Sequence, residues 1–317
     1  MKSKTALFTP ILAGVVMLLA GFSGRLVSLV NRLSEDAFLS LAIIQLIVYL
    51  LPVAFYCRVF SINLVTSLKF RAFSVKKIPP AITFFLLFLA GSLVLKYFGI
   101  FLFDGAMVDT PDAVYIANIY SSNRFLTILC FVILPAFLEE IVFRGIILEE
   151  YARYGAFSAV MISSLTFAML HLSLQNFVYY FFMGLVLGSL TWVCDSLLPA
   201  LVLHLAKSFA YVSISASTAN YVRQAGKSAL LPYLLIAFFL MLLFLLFSQM
   251  EGLYLSRARD EMRQTRKEIL RREKERDKAP IAEPKNQKWI PLRDVFLSPT
   301  FLAVVALFFL QATKIIH

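Results

Sequence analysis

The chain of 317 residues is 60% hydrophobic and only 15% charged, with a mean hydropathy of +0.80. A soluble globular domain is about half apolar and about a quarter charged, so this composition excludes an ordinary soluble domain. The formal net charge of +11 would suit a nucleic-acid binder if the chain were soluble. Here the basic residues crowd loops beside apolar runs, where membrane topology and anionic headgroups account for them without nucleic acid.

The apolar runs are continuous and about 20 residues long, which predicts an all-α, polytopic helical membrane protein rather than a barrel. The first run follows a basic N-terminus and mimics a signal peptide. No small-x-small cleavage site follows it, so it is read as an uncleaved first span. Expected spans are Ala6–Phe22, Ala37–Cys57, Ala81–Phe103, Arg124–Leu148, Gly155–Leu172, Gln175–Val193, Leu197–Ser213, Ala229–Gln249 and Leu297–Ala312, giving eight to nine transmembrane helices. Arg58–Lys77 carries Arg58, Lys69, Arg71, Lys76 and Lys77 with no acid, and is expected in the cytoplasm. Asp104–Asn123 carries three acids and no base, and is expected outside. Ser256–Lys278 holds ten basic and six acidic residues and is again expected inside, as is the N-terminus. Arg223 and Lys227 then fall outside, against the rule. Five regions result: a three-helix region over 1–123, a core over 124–213, the eighth span with its preceding loop over 214–255, a charged cytoplasmic helix and proline-containing linker over 256–296, and a last span over 297–317, expected as an accessory helix appended to the core. The charged helix is expected to continue the eighth span. Arg257–Lys278 is a candidate contact for anionic lipid or a protein partner. Cys57, Cys130 and Cys194 are scattered and read as inert thiols.

The chemistry concentrates between Glu139 and Ser208. An ionisable group at a bilayer centre costs about 2.5–3.5 kcal/mol on insertion scales, so repeated instances predict use. Glu140 and Arg144 lie four apart on one helix face and can neutralise one another. Glu139 sits about 100° around and lacks a local cation, which suits a general base. Of three histidines, His171 and His204 fall in or at the ends of apolar helices. His204 and Ser208 share a face and could both donate to one developing oxyanion, while Lys207 is expected to snorkel to the interface. Glu139, His171 and His204 could also supply three zinc ligands, although HExxH is absent. A proton relay in a transporter is a further possibility. On full-length spans, His171 falls near the outer end of its helix and Glu139 near mid-membrane. The two meet only if the fifth helix is shifted, broken or tilted.

The order EEIVFRG (Glu139–Gly145), FAMLH (Phe167–His171) and HLAKS (His204–Ser208) resembles the CPBP family of CAAX-protease and bacteriocin-processing intramembrane enzymes, also called Abi. Its pattern is EExxxR, FxxxH and HxxxN, and the likeness covers about Arg124–Val212. The resemblance implies a CPBP-like core and a metal-free intramembrane glutamic endopeptidase, with no cofactor expected, in a bacterial cytoplasmic membrane. It implies that Glu139 and His171 activate water, that His204 and Ser208 form the oxyanion site, and that Glu140, Arg144 and Phe167 support them. Ser208 departs from the family's Asn, which leaves three expectations: a working variant, an enzyme of reduced activity, or a member repurposed as a scaffold. Substrates of the family are prenylated CAAX proteins and bacterial peptides. The expected partners are therefore a peptide or membrane-protein substrate and the lipid bilayer. A degenerate member acting as a scaffold for a partner protein is the second expectation, and a proton-coupled transporter the third.

Overall fold

The computed structural model describes residues 5–30, 36–102, 123–225, 230–274 and 292–316. The elements among these residues are all helical. In chain order they are α1 (Thr5–Gly21), α2 (Ser23–Val30), α3 (Ala37–Phe60), the single turn α4 (Leu64–Ser67), α5 (Ile78–Leu102), α6 (Arg124–Ala152), α7 (Ala156–Leu170), α8 (Phe177–Cys194), α9 (Leu198–Ala225), α10 (Leu231–Lys274), α11 (Leu292–Phe296) and α12 (Pro299–Ile316). Helices α3, α5, α6, α8 and α10 contain stretches long and apolar enough to cross a membrane, and α1, α7, α9 and α12 carry shorter apolar stretches. The protein is a polytopic helical membrane protein. Large side chains such as Leu51, Phe55, Phe244 and Phe247 stand exposed on the outer faces, as lipid contact allows and water does not. The acidic 104–122 stretch, Lys227, the 279–291 linker and His317 lie outside the described residues. Helix α10 runs unbroken into the charged segment as far as Lys274.

Helix α6 is the centre of the bundle. Every residue from Leu138 to Leu148 is buried, as befits a helix hydrophobic on all sides. Its ladder contains two π-helical stretches, Leu129–Ile133 and Ile141–Ile147. The first precedes Pro135, which has no N–H to donate, and the second carries Arg144. Around α6 pack α3, α7 and α9. Helices α7 and α8 lie close because Gly184 faces Ser164: a Cβ on Gly184 would stand 2.8 Å from the Ser164 Cα.

Helix α7 resolves the height mismatch expected between Glu139 and His171. It has only 15 residues, about 22 Å at 1.5 Å per residue, and stops short of the roughly 30 Å hydrocarbon thickness. A tight turn at Gly155, with φ 97°, joins α6 to α7. Counted from that turn, Glu139 precedes Ala152 by 13 residues and His171 follows Ala156 by 15. Antiparallel neighbours at similar distances from a turn stand at similar heights, and His171 lines the same cavity as Glu139.

The last span is no peripheral addition. Val304 of α12 lies against Gly14 of α1, and Phe308 packs on Phe177 with ring centroids 5.6 Å apart. Phe301, Val304 and Phe308 belong to the same buried cluster as the α6 residues.

Candidate active site

The site is built on the second half of α6. Glu140 is fully buried and its Oε1 accepts from Arg144 Nη1 at 2.8 Å, the pairing that the four-residue spacing predicts. The same Oε1 accepts from His204 Nδ1 on α9, also at 2.8 Å. Arg144 reaches the Gly184 carbonyl on α8 at 3.4 Å, and its guanidinium lies 4.5 Å from the centre of the Phe167 ring. One arginine therefore ties α6, α7 and α8 together, and one carboxylate ties α6 to α9. Phe167 stands between them, edge-on to both His171 and His204.

Glu139 is held differently. Tyr49 of α3 donates to its Oε1 at 3.2 Å, while its buried Oε2 has no hydrogen bond to another protein group. His204 Nε2 is the nearby basic atom, 3.7 Å from that oxygen. His171 caps α7, and its Nδ1 lies 3.0 Å from the Phe167 carbonyl. A carbonyl only accepts, so Nδ1 carries the proton and the neutral ring offers a bare Nε2. Tyr180 stacks on this imidazole at 3.6 Å and fixes its plane.

These groups converge on one cavity of about 180 Å³, lined by Glu139, His171, His204, Ser208, Lys207 and Tyr211, with Pro135 among its apolar walls. All four side chains expected to act on substrate thus face one space, and Glu140, Arg144 and Phe167 form its backing. Two participants were not anticipated. Tyr49 was legible only as a polar residue four after Gln45 within an apolar span. Lys207 points into the cavity instead of snorkelling away, with its ammonium 5.9 Å from the Tyr180 ring centre. Among the described residues, no three His, Cys, Asp or Glu side chains are grouped to hold a metal ion.

A second cavity, of about 340 Å³, lies under the loop between α3 and α5 and is bordered by Arg144, Lys69, Glu149 and Asp195. Lys69 pairs with Glu149 at 2.6 Å and with Asp195 at 3.2 Å, and Arg71 pairs with Asp195. Lys77 donates to the Cys194 carbonyl at 3.0 Å. The loop is thereby fastened to the α8–α9 turn, with Leu68 seated on Gly145. Burial works against the Lys69 charge, but Glu149 and Asp195 outweigh it and hold its pKa above the ordinary lysine value. Partial burial likewise opposes the Asp195 charge and is outweighed by Lys69, Arg71 and Lys77, so that pKa sits below the usual carboxylate value.

Comparison with known families gives a match that falls on this site. Residues 121–210 match the Rce1-like family model, described as type II CAAX prenyl endopeptidase. No curated protein and no solved structure matches the chain. The Rce1-like segment spans α6, α7, α8 and the first half of α9. It carries the three motifs and excludes Tyr49, the loop over Gly145 and the terminal helices.

Proposed function

We propose that this protein is an intramembrane endopeptidase that hydrolyses a peptide bond with water activated by Glu139 and His171. The observation that carries the reading is that Glu139, whose Oε2 lacks a protein donor, lines the same cavity as His171, while Glu140 does not. The Rce1-like match over the same helices supports it.

In this mechanism Glu139 takes a proton from water while His171 Nε2 accepts the second hydrogen bond and aims the oxygen. The oxygen attacks the scissile carbonyl carbon, and the carbonyl π pair moves onto oxygen. His204 and Ser208 border the place where that oxyanion forms. Collapse of the tetrahedral intermediate breaks the C–N bond, and the proton held by Glu139 passes to the leaving amine. Tyr49 keeps Glu139 in position, and Glu140 with Arg144 keeps His204 in position. The chemistry needs no metal. Chelators at concentrations that strip zinc are expected to leave cleavage intact, with metal content of the purified protein measured in parallel. The matched description points to peptides with an S-prenylated cysteine as the first substrates to try. The basic 58–77 loop and the charged end of α10 would face the cytoplasm of a bacterial cell.

Peptides from cells making the wild type, Glu139→Gln or Ser208→Asn at equal protein level test the reading. Products present with the wild type, absent with Glu139→Gln and increased with Ser208→Asn are expected. Three identical profiles, obtained with folded protein and with native substrates present, would favour a scaffold instead. In that case the charged end of α10 becomes the first place to look for a partner.

A further inference from the structure

The oxyanion side of this cavity is short of a hydrogen-bond donor. The Glu140 carboxylate accepts from His204 Nδ1, so in the neutral imidazole the other nitrogen, Nε2, carries no hydrogen. It can donate to an oxyanion only as imidazolium. Ser208 offers one O–H on a short side chain. A further donor group in the same cavity is the Lys207 amine.

Three observations single Lys207 out. It lies on the inward stripe of α9 with His204, Ser208 and Tyr211, at the i, i+3, i+4 and i+7 spacing of one helix face. Its ammonium stands 5.9 Å from the centre of the Tyr180 ring, so the side chain is held at the cavity that Ser208 also lines. Among the described residues no carboxylate lies within ion-pair distance of it. A lysine on a membrane helix ordinarily carries its charge out to the interface. One kept at the cavity without a direct ion pair is free to meet an anion that exists only during reaction. Interactions realised only in the transition state are the ones that raise kcat.

We propose that Lys207 is the cationic donor of the oxyanion site, binding the tetrahedral oxygen beside Ser208. The inference rests on the peptidase reading for its role in turnover, but the anion site can be tested without turnover. The substrate probe is a quenched fluorogenic peptide with an S-farnesyl cysteine, two aliphatic residues and a free C-terminus. The binding probes are its phosphinic analogue, anionic and tetrahedral at the scissile position, and its neutral ketomethylene analogue.

Lys207→Met is expected to lower kcat about 10²-fold with KM changed less than about 3-fold, and Lys207→Arg to recover most of the loss. In a Ser208→Asn background, which adds an amide donor, the cost of Lys207→Met should shrink to about 10-fold or less. Wild type should bind the phosphinate at least about 10²-fold more tightly than the ketomethylene. Lys207→Met should lose that preference while keeping its ketomethylene affinity and its Tm. An equal loss for both ligands, a preference that survives in Lys207→Met, or a wild type with no preference overturns the proposal. A change confined to KM does so as well and would make Lys207 a contact for an anionic group of the substrate. A wild type that cleaves nothing yet shows a Lys207-dependent phosphinate preference sinks the peptidase reading and leaves the anion site standing.

Discussion

At the scale of single residues, the site separates two neighbouring carboxylates by what each one touches. Each keeps an Oε2 without a hydrogen bond, but Glu140 holds Arg144 and His204 through Oε1 behind the cavity, whereas Glu139 holds Tyr49 and lines the cavity beside His171. The two should therefore fail differently. Glu139→Gln preserves shape and can still accept from Tyr49, so Tm should hold while cleavage of the farnesyl peptide falls about 10²–10⁴-fold, the usual worth of a general base. Arg144→Met leaves the Glu140 carboxylate buried with His204 as its remaining partner. Breaking a buried pair from one side costs about 3–5 kcal/mol, so this variant should lose stability before any effect on rate can be read. Thermal unfolding in detergent, run beside the cleavage assay, separates the two outcomes. Tyr49→Phe should lie between them, with unchanged folding and about a 10-fold loss in kcat/KM, because a hydrogen bond to a charged group is worth about 1.5–3 kcal/mol.

At the scale of elements, the helices do by length and close approach what motifs cannot specify. Spacing within EEIVFRG was enough to read the Glu140–Arg144 pair, because residues four apart share a face on any helix. The meeting of Glu139 with His171 was not legible, because it depends on α7 being 15 residues long and on the tight turn at Gly155. Tyr49 was missed for a similar reason: it comes from α3, 90 residues before Glu139, and only packing brings it there. Lys207 was misread because snorkelling depends on which way α9 is rotated, and the apolar run does not record that. Gly184 tests the packing directly. Gly184→Val should push α8 off Ser164 and move the carbonyl that Arg144 uses, at a cost of about 1–3 kcal/mol in stability. A variant with unchanged Tm would show that the α7–α8 contact is slack.

The loop over Gly145 makes a prediction in pH. Asp195 has a lowered pKa, so its contribution is present above its unfolded value, 3.8, and is lost as pH falls through the still lower folded value. Lys69 has a raised pKa, so its contribution is present below 10.5 and is lost as pH rises past the folded value. The fastening should thus be constant across neutral pH. Being partly exposed, each pair is worth no more than about 1 kcal/mol. Asp195→Asn should speed tryptic cleavage after Arg71 at pH 7, and its Tm difference from wild type should close only in strong acid. A difference that closes near pH 6 would place the holding charge on some other group.

At the scale of the whole molecule, the question is what the helices outside the Rce1-like segment contribute. The expectation from sequence is a core with a last span appended. Helix α12 instead enters the same buried cluster as α6, through Phe301, Val304 and Phe308, and it closes the bundle against α1. Between membrane helices there is little hydrophobic drive, since lipid is as apolar as leucine, so this contact is held by close packing. Such packing is sensitive to lost volume: truncating a buried Phe to Ala costs about 3–5 kcal/mol in soluble cores. Phe308→Ala, and the chain cut after Lys274, should both unfold about 10 °C earlier than wild type, if each kcal/mol shifts Tm by about 2–4 °C. The loss of cleavage should follow the loss of folded protein in both. Neither variant should change KM for the farnesyl peptide at temperatures where it remains folded, because neither touches the cavity. If the cut chain keeps the wild-type Tm, then α12 is an appendage after all, and its place beside α1 has to be explained by a partner and not by the fold.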